Sequence, residues 1–152
     1  MENTSLKPIT YAYLETTNYC NLKCSFCNRE EVIGKLQHMS IEKYEVMLQK
    51  LSNHPITEAK LMGMGEPFLH PKFDEICKLC EENNLILIED NASSPFSKYK
   101  GKNVGIFGDF GVWSFDPLKV MTMGDGGLIY CKSKDDLQKI KEQRYLGMSS
   151  ST

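Results

Sequence analysis

No stretch of this sequence approaches the ~18 consecutive apolar residues that a membrane-crossing helix needs. The first twenty residues, MENTSLKPITYAYLETTNYC, lack a basic segment followed by an apolar core, so no secretory leader is read there and the expected compartment is the cytoplasm. Charge of one sign is also missing. Residues 1–84 carry 9 basic and 12 acidic side chains and residues 85–152 carry 9 and 8, so no basic stripe is available to hold nucleic acid. The sequence has no internal repeat, and its one low-complexity stretch is the tail 149–152, expected to fray. Histidine is scarce at 3 residues, which leaves few nitrogen ligands for a metal.

What is present is a soluble, globular composition, with 41% hydrophobic and 25% charged residues. Strand-like and helix-like runs alternate. Residues 9–15 alternate in strand fashion, and Ser40 opens a helix whose apolar residues Ile41, Tyr44, Met47, Leu48 and Leu51 recur at helical spacing. Ala59 to Met62 reads as a short strand running into the turn Gly63-Met64-Gly65-Glu66-Pro67, and Phe73, Ile76, Cys77 and Cys80 line one face of a second helix. Leu85-Ile86-Leu87-Ile88 is a continuous apolar run of buried-strand type ending in Glu89-Asp90. Further strands are predicted over Val104–Phe107, Val112–Phe115 and Leu128–Cys131. A last helix opens at the box Ser133-x-x-Asp136, carries Leu137, Ile140 and Tyr145, and stops at Gly147.

In a reducing compartment six cysteines are metal ligands or buried thiols more readily than disulfides. Cys20, Cys24 and Cys27 crowd into CNLKCSFCN, directly behind the first predicted strand. Soft thiolates on a loop are the ligands an iron–sulfur cluster needs, and three of them leave a fourth iron open to bind a small molecule. Zinc is the rival, but it wants four ligands, and the nearest histidine is His38. A plainer reading, three buried cysteines, sits poorly with the polar loop residues Asn18, Asn21, Lys23, Ser25 and Asn28. Cys77 and Cys80 share an apolar helix face and read as core, as does Cys131 at a strand end. His54 and His70 each precede a proline and read as turn positions.

Cys20-x3-Cys24-x2-Cys27, with Phe26 before the last cysteine, resembles the signature of the radical S-adenosylmethionine superfamily, and Gly63-Met64-Gly65-Glu66-Pro67 resembles its Gly-Gly-Glu-Pro motif, with Met64 where a second glycine is frequent. The resemblance implies a 4Fe-4S cluster on Cys20, Cys24 and Cys27 and S-adenosyl-L-methionine on its open iron. Gly63, Gly65 and Glu66 would meet the methionine amino group, and Phe26 would lie near the adenine. It also implies a partial barrel of about six strand–helix units, somewhat smaller than the ~250 residues of a full barrel, of which two are legible here.

From Leu85 onward the sequence resembles a different family, the DegT/DnrJ/StrS sugar aminotransferases that use pyridoxal 5'-phosphate. The resemblance covers about residues 75–148: an acid after an apolar strand, then Gly105-x2-Gly108-Asp109, Ser114-Phe115-x3-Lys119 and Gly124-Asp125-Gly126-Gly127. By that resemblance Lys119 would form the imine with the cofactor, Asp90 would keep the pyridine nitrogen protonated, and Ser114 would contribute to the phosphate site. A lysine after a proline turn is ordinarily solvated, and the surrounding motif is what marks Lys119. The family commonly reads Glu-Asp-Ala-Ala-Gln where this chain has Glu89-Asp90-Asn91-Ala92-Ser93.

The expected fold is therefore α/β and incomplete: the first strand–helix units of a radical enzyme's partial barrel over residues 1–84, then a fragment of an aminotransferase large-domain sheet over 85–148. The seam falls in the helix–strand region Phe73–Asn84. The leading expectation is a truncated or fused protein that binds a 4Fe-4S cluster and S-adenosylmethionine without substrate turnover; the alternatives are a pyridoxal phosphate sugar-aminotransferase fragment and a non-catalytic chimera. The expected partners are small-molecule cofactors. Homo-oligomerisation is one way in which a complete site would assemble.

Overall fold

The computed structural model describes residues 11–55 and 58–144. Ile9, Thr10, Tyr145, Gly147 and the tail 149–152, all named in the sequence reading, lie outside the described residues. The chain divides between Asn83 and Asn84 into two compact units.

In the first unit, β1 (Tyr11–Tyr13) pairs in parallel with β2 (Glu58–Lys60), in the register Tyr11↔Glu58, Ala12↔Ala59, Tyr13↔Lys60. Parallel strands need a long crossover. Here it contains the short helix α1 (Arg29–Val32) and the longer α2 (Ile41–Ser52). Ser40 starts α2 as its spacing predicts, its hydroxyl accepting the Lys43 N–H at 3.4 Å. A 3-10 turn at Pro67–Leu69 leads into α3 (Phe73–Glu82). The predicted helical faces are the buried ones: Leu14, Tyr44, Leu48, Ile76 and Cys80 form one apolar cluster, with Met47, Leu51 and Ala59 packed around it. Cys80 Sγ lies 3.3 Å from the Tyr44 hydroxyl, and burial pushes both groups' pKa values up, so both stay neutral. The helix ends in Asn83, followed by Asn84 at φ 55°, a left-handed conformation that asparagine tolerates better than most residues.

In the second unit, β3 (Ile88–Asp90) runs parallel to β6 (Phe110–Ser114), which pairs antiparallel with β7 (Gly127–Cys131). Between them lies a hairpin of β4 (Lys98–Tyr99) and β5 (Lys102–Asn103), its two-residue turn Lys100-Gly101 having positive φ at both positions, as tight hairpins require. α4 (Lys134–Gln143) follows β7, capped by the predicted Ser133 hydroxyl on the Asp136 N–H at 3.3 Å.

Two expectations are corrected here. Val104–Phe107 forms no strand: Gly105 sits at φ 94°, and the backbone of this stretch wraps around a carboxylate instead of entering a ladder. Leu85–Ile88 is no buried run, since only Ile88 lies in β3 and Ile86 and Ile88 are 69% and 60% exposed. The sheet buries the opposite side of this strand, through Glu89. A radical-enzyme barrel is not shown: β1 and β2 form a two-stranded parallel pair.

Candidate functional site

The cysteine loop leaves β1 through Glu15-Thr16-Thr17-Asn18; Glu15, Thr17 and Asn18 are engaged through their side chains, whereas Thr16 is held by its carbonyl on the Met39 N–H at 2.8 Å and its buried hydroxyl has no hydrogen-bond partner among the described residues. Thr17 Oγ1 accepts the Tyr19 N–H at 3.1 Å and lies 2.8 Å from His38 Nδ1. Asn18 bridges to the returning chain, its amide donating to Lys35 O at 2.9 Å and its carbonyl accepting the Gln37 N–H at 2.7 Å. The base of the loop is thereby clamped. His38 stacks on Tyr19 with ring centroids 4.4 Å apart and meets the edge of His70 at 5.2 Å. Both ring nitrogens of His70 meet backbone groups: its Nε2 lies 2.8 Å from Met39 O and its Nδ1 accepts the Lys72 N–H at 3.1 Å, so the tautomer with its proton on Nε2 fits the site.

The Gly63-Met64-Gly65-Glu66 turn docks on the same strand end. Glu15 Oε1 accepts the Met64 N–H at 2.5 Å, and the Glu66 N–H donates to Tyr19 O at 2.7 Å, one residue before Cys20. Space constrains the two glycines unequally. A Cβ on Gly65 would collide with the Thr17 carbonyl, a backbone atom, whereas one on Gly63 would push aside the Glu15 carboxylate that accepts the Met64 N–H. Met64 is exposed, so the glycine pattern can be broken there and not at Gly65. Glu66 turns its own carboxylate onto the Phe68 N–H at 3.3 Å. Glu15 and Tyr19 carry this docking, and sequence reasoning assigned neither a role. The only signal was their place between a strand and a cysteine motif.

The thiols themselves are less organised. Cys20 is half-buried, Cys24 and Cys27 are exposed, and Phe26 is 90% exposed. Among the described residues no three His, Cys, Asp or Glu side chains gather closely enough to hold a metal ion. The donor chemistry suits an iron–sulfur cluster, and the arrangement does not present it.

In the second unit Asp90 is partnered with Val112 across the parallel pair, and Ser114 lies two residues beyond Val112. Side chains alternate along a strand, so Asp90, Val112 and Ser114 share one face, at the ends where β3 and β6 both finish. Asp90 Oδ1 accepts the Ala92 N–H at 3.0 Å, and Ser114 Oγ accepts the Asp116 N–H at 3.4 Å. Lys119 follows on the turn Asp116–Lys119, closed by its own N–H on Asp116 O at 2.9 Å, and it is half-buried. The loop is pinned at its base by Phe115 N–H to Gly126 O at 2.9 Å and Met123 N–H to Phe115 O at 3.0 Å.

Glu89, on the opposite face from Asp90, was passed over in the sequence. It is 7% exposed, and its carboxylate accepts three backbone N–H groups: Gly105 at 2.6 Å, Phe107 at 2.6 Å and Gly108 at 2.7 Å. The Trp113 ring packs against Gly105 where a Cβ would otherwise stand. Asp109 completes the clip, accepting the Leu87 N–H at 2.9 Å. The spacing Gly105-x2-Gly108-Asp109 is thus the wrapping that fixes the strand carrying Asp90.

Comparison with known proteins finds two families. The model of the Radical SAM superfamily matches residues 14–106, and that of the DegT/DnrJ/EryC1/StrS aminotransferase family matches residues 64–152, so the matches overlap. The chain is 37% identical over 73 residues to dTDP-4-dehydro-2,3,6-trideoxy-D-glucose 4-aminotransferase of Saccharopolyspora spinosa, covering 48% of this chain and 19% of that protein. It is 44% identical over 97 residues to GDP-perosamine synthase of Escherichia coli O157:H7, covering 63% and 25%. The chain therefore spans about a fifth to a quarter of these relatives' length. Among solved structures it is similar to a DegT DnrJ EryC1 StrS aminotransferase from Brucella abortus, with a TM-score of 0.60 at 19% identity, covering 95% of this chain and 41% of that one. A Helicobacter pylori aminotransferase involved in the biosynthesis of pseudoaminic acid gives a TM-score of 0.54 at 21% identity, covering 94% and 38%. These two likenesses show a mixed α/β fold of aminotransferase type. No helix among the described residues is long and apolar enough to cross a membrane.

Proposed function

The chain belongs to the Radical SAM superfamily through residues 14–106 and to the DegT/DnrJ/EryC1/StrS aminotransferase family through residues 64–152, and from that premise we propose that its second unit is a pyridoxal 5'-phosphate-binding segment of sugar-aminotransferase type. The observation that carries the reading is the shared strand end. Asp90 and Ser114 leave one face of a parallel strand pair together, and Lys119 follows on a pinned turn. The donor set fits the group: a carboxylate for the pyridine nitrogen, a hydroxyl for the phosphate and an amine for the aldehyde. When bound, the cofactor supplies an electron sink. The chain's own residues hold and orient it, and Glu89 fixes the strand from behind.

The test is borohydride trapping of added pyridoxal phosphate followed by peptide mapping. The adduct is expected on Lys119, absent in Lys119→Ala and reduced in Asp90→Asn. Labelling spread evenly over the surface lysines would overturn the assignment.

A second reading has its own observation. The Gly63–Glu66 turn is docked on the strand end that feeds Cys20, through Glu15 and Tyr19. This supports a first unit that binds a 4Fe-4S cluster on Cys20, Cys24 and Cys27, with S-adenosylmethionine near Gly63, Gly65 and Glu66. In that reading the exposed loop closes when the cluster is assembled, since its thiols are not gathered beforehand.

A further inference from the structure

Gly124-Asp125-Gly126-Gly127 leads the chain from the Lys119 loop into β7, and all four residues are exposed. Gly124 and Gly126 have φ of 85° and 97°, in the left-handed region that favours glycine. The turn is held on both sides: the Gly124 N–H donates to Thr122 Oγ1 at 3.1 Å, and Gly126 O accepts the Phe115 N–H at 2.9 Å. The β6–β7 ladder stops at Ser114↔Gly127, so the peptide nitrogen of Gly126 lies beyond it. That nitrogen instead donates to the side chain of its own neighbour, Asp125 Oδ1, at 2.6 Å. The backbone nitrogen and the carboxyl group of one Asp-Gly pair are thus held together, with open space where a Cβ of residue 126 would stand. Asp125 is the one aspartate or asparagine of the chain that is followed by glycine.

We infer that Asp125-Gly126 is a site of spontaneous aspartate isomerisation, a covalent modification that alters the loop carrying Lys119. In the neutral acid form of the side chain, the Gly126 nitrogen attacks the carboxyl carbon of Asp125. A C–N bond forms, the C–OH bond breaks, and water leaves with that hydroxyl and the proton from the nitrogen, giving a five-membered succinimide. Water then opens the ring. Attack at the side-chain carbonyl restores aspartate, and attack at the main-chain carbonyl gives isoaspartate, in which the chain runs on through the former side chain. One water leaves and one enters, so the mass is unchanged and no oxidant or cofactor takes part. The backbone gains one methylene between Asp125 and Gly126, beside the Phe115–Gly126 bond that closes the base of the loop. Other aspartates of this unit lack the arrangement. Asp116 precedes Pro117, whose nitrogen carries no proton, and the Asp109 carboxylate is taken by the Leu87 N–H at 2.9 Å. The effect on Lys119 rests on the pyridoxal phosphate reading, and the modification itself does not.

The test ages the full chain for days in mildly acidic buffer, beside a free peptide with the sequence of residues 120–132. Trypsin cuts after Lys119 and Lys132, so the peptide 120–132 carries Asp125 as its one acidic side chain, and the peptide 103–119 carries Asp109 and Asp116. The expected result is a form of 120–132 with unchanged mass and shifted retention, which an isoaspartyl methyltransferase labels, while 103–119 stays as it was. It should accumulate in the folded chain at least as fast as in the free peptide. Asp125→Glu, whose longer side chain would have to close a six-membered ring, is expected to lose the shifted form. Borohydride trapping of pyridoxal phosphate on Lys119 is expected to fall in the aged parent relative to aged Asp125→Glu, and equal trapping in the two would overturn the effect on the loop. A fresh parent that traps nothing on Lys119 would remove the cofactor reading and leave the isomer measurement standing. The site is overturned if 120–132 keeps its original retention, or if the isomer forms more slowly in the folded chain than in the free peptide.

Discussion

Glu89 and Gly105 are joined across the second unit by a 2.6 Å hydrogen bond from the glycine N–H to one carboxylate oxygen, while the other oxygen takes Phe107 and Gly108. A buried carboxylate with three backbone donors is a framework element, and it sits next in sequence to Asp90, whose side chain is exposed. Strand alternation separates the two acids: one builds, the other faces outward.

That separation predicts opposite outcomes for neighbouring substitutions. Glu89→Gln turns an amide N–H toward backbone N–H donors, and a lost charged hydrogen bond with an unsatisfied buried group costs about 2–3 kcal/mol. Asp90→Asn, at an exposed position, is expected to stay within about 0.5 kcal/mol of the parent. Trp113 is the only tryptophan and packs on Gly105, so its fluorescence in a urea titration reports the stability of this unit directly. Equal losses for both variants would contradict the division of labour.

The glycine turn gives a second contrast. Gly65→Ala drives a Cβ into the Thr17 carbonyl, a backbone atom that cannot swing aside, and overpacking of this kind costs about 1–3 kcal/mol. Met64→Ala alters an exposed side chain and leaves the N–H to Glu15 in place, so its effect is expected within about 0.5 kcal/mol. Urea unfolding followed by far-ultraviolet circular dichroism would show the ranking.

His38 predicts a pH dependence. Partial desolvation of an otherwise exposed ring, and then the nearby His70, lower its pKa below the ordinary 6.5. The unfolded chain takes up a proton near that value and the folded chain only at lower pH, so the unfolded state binds more protons between the two. Stability is therefore full above the ordinary value and is lost as the pH falls through the folded pKa. Glu15 and Lys43 also line the cleft of about 160 Å³ beside His38, and they belong to the same electrostatic setting. The urea midpoint is expected to fall between about pH 7.5 and pH 5.5, and His38→Gln should flatten that slope. An unchanged slope in the variant would remove His38 from the account.

Much of the fold was legible because it is local. Ser40 and Ser133 announce their helices by a hydroxyl placed three residues before the N–H it accepts, and the apolar spacing of Tyr44, Leu48, Ile76 and Cys80 gives the buried faces correctly. Val104–Phe107 was misread because its backbone donors are claimed by Glu89, sixteen and more residues earlier, and no local pattern records such a claim. The site followed the same rule. Asp90 and Ser114 come to one strand end by sheet register, which is legible once the strands are paired. The cysteine spacing gives closeness in sequence, whereas convergence of the three side chains is a property of a loop that the described structure leaves open.

That open loop sets the last prediction. Ungathered thiols have no preformed cage to capture a metal ion, yet three of them in eight residues are near enough in sequence for an assembling cluster to draw them together. Anaerobic reconstitution with iron and sulfide is expected to load about one 4Fe-4S cluster per chain, and the loading should fail in Cys20→Ala/Cys24→Ala/Cys27→Ala. Because metal binding and ordering are then a single event, loading should also raise protection of backbone amides in residues 20–28 against hydrogen exchange, while the clamped base at Thr17 and Asn18 changes little. Equal iron uptake by the parent and the triple variant would refute cluster binding. Loading without any gain in protection would mean that the loop was closed from the start.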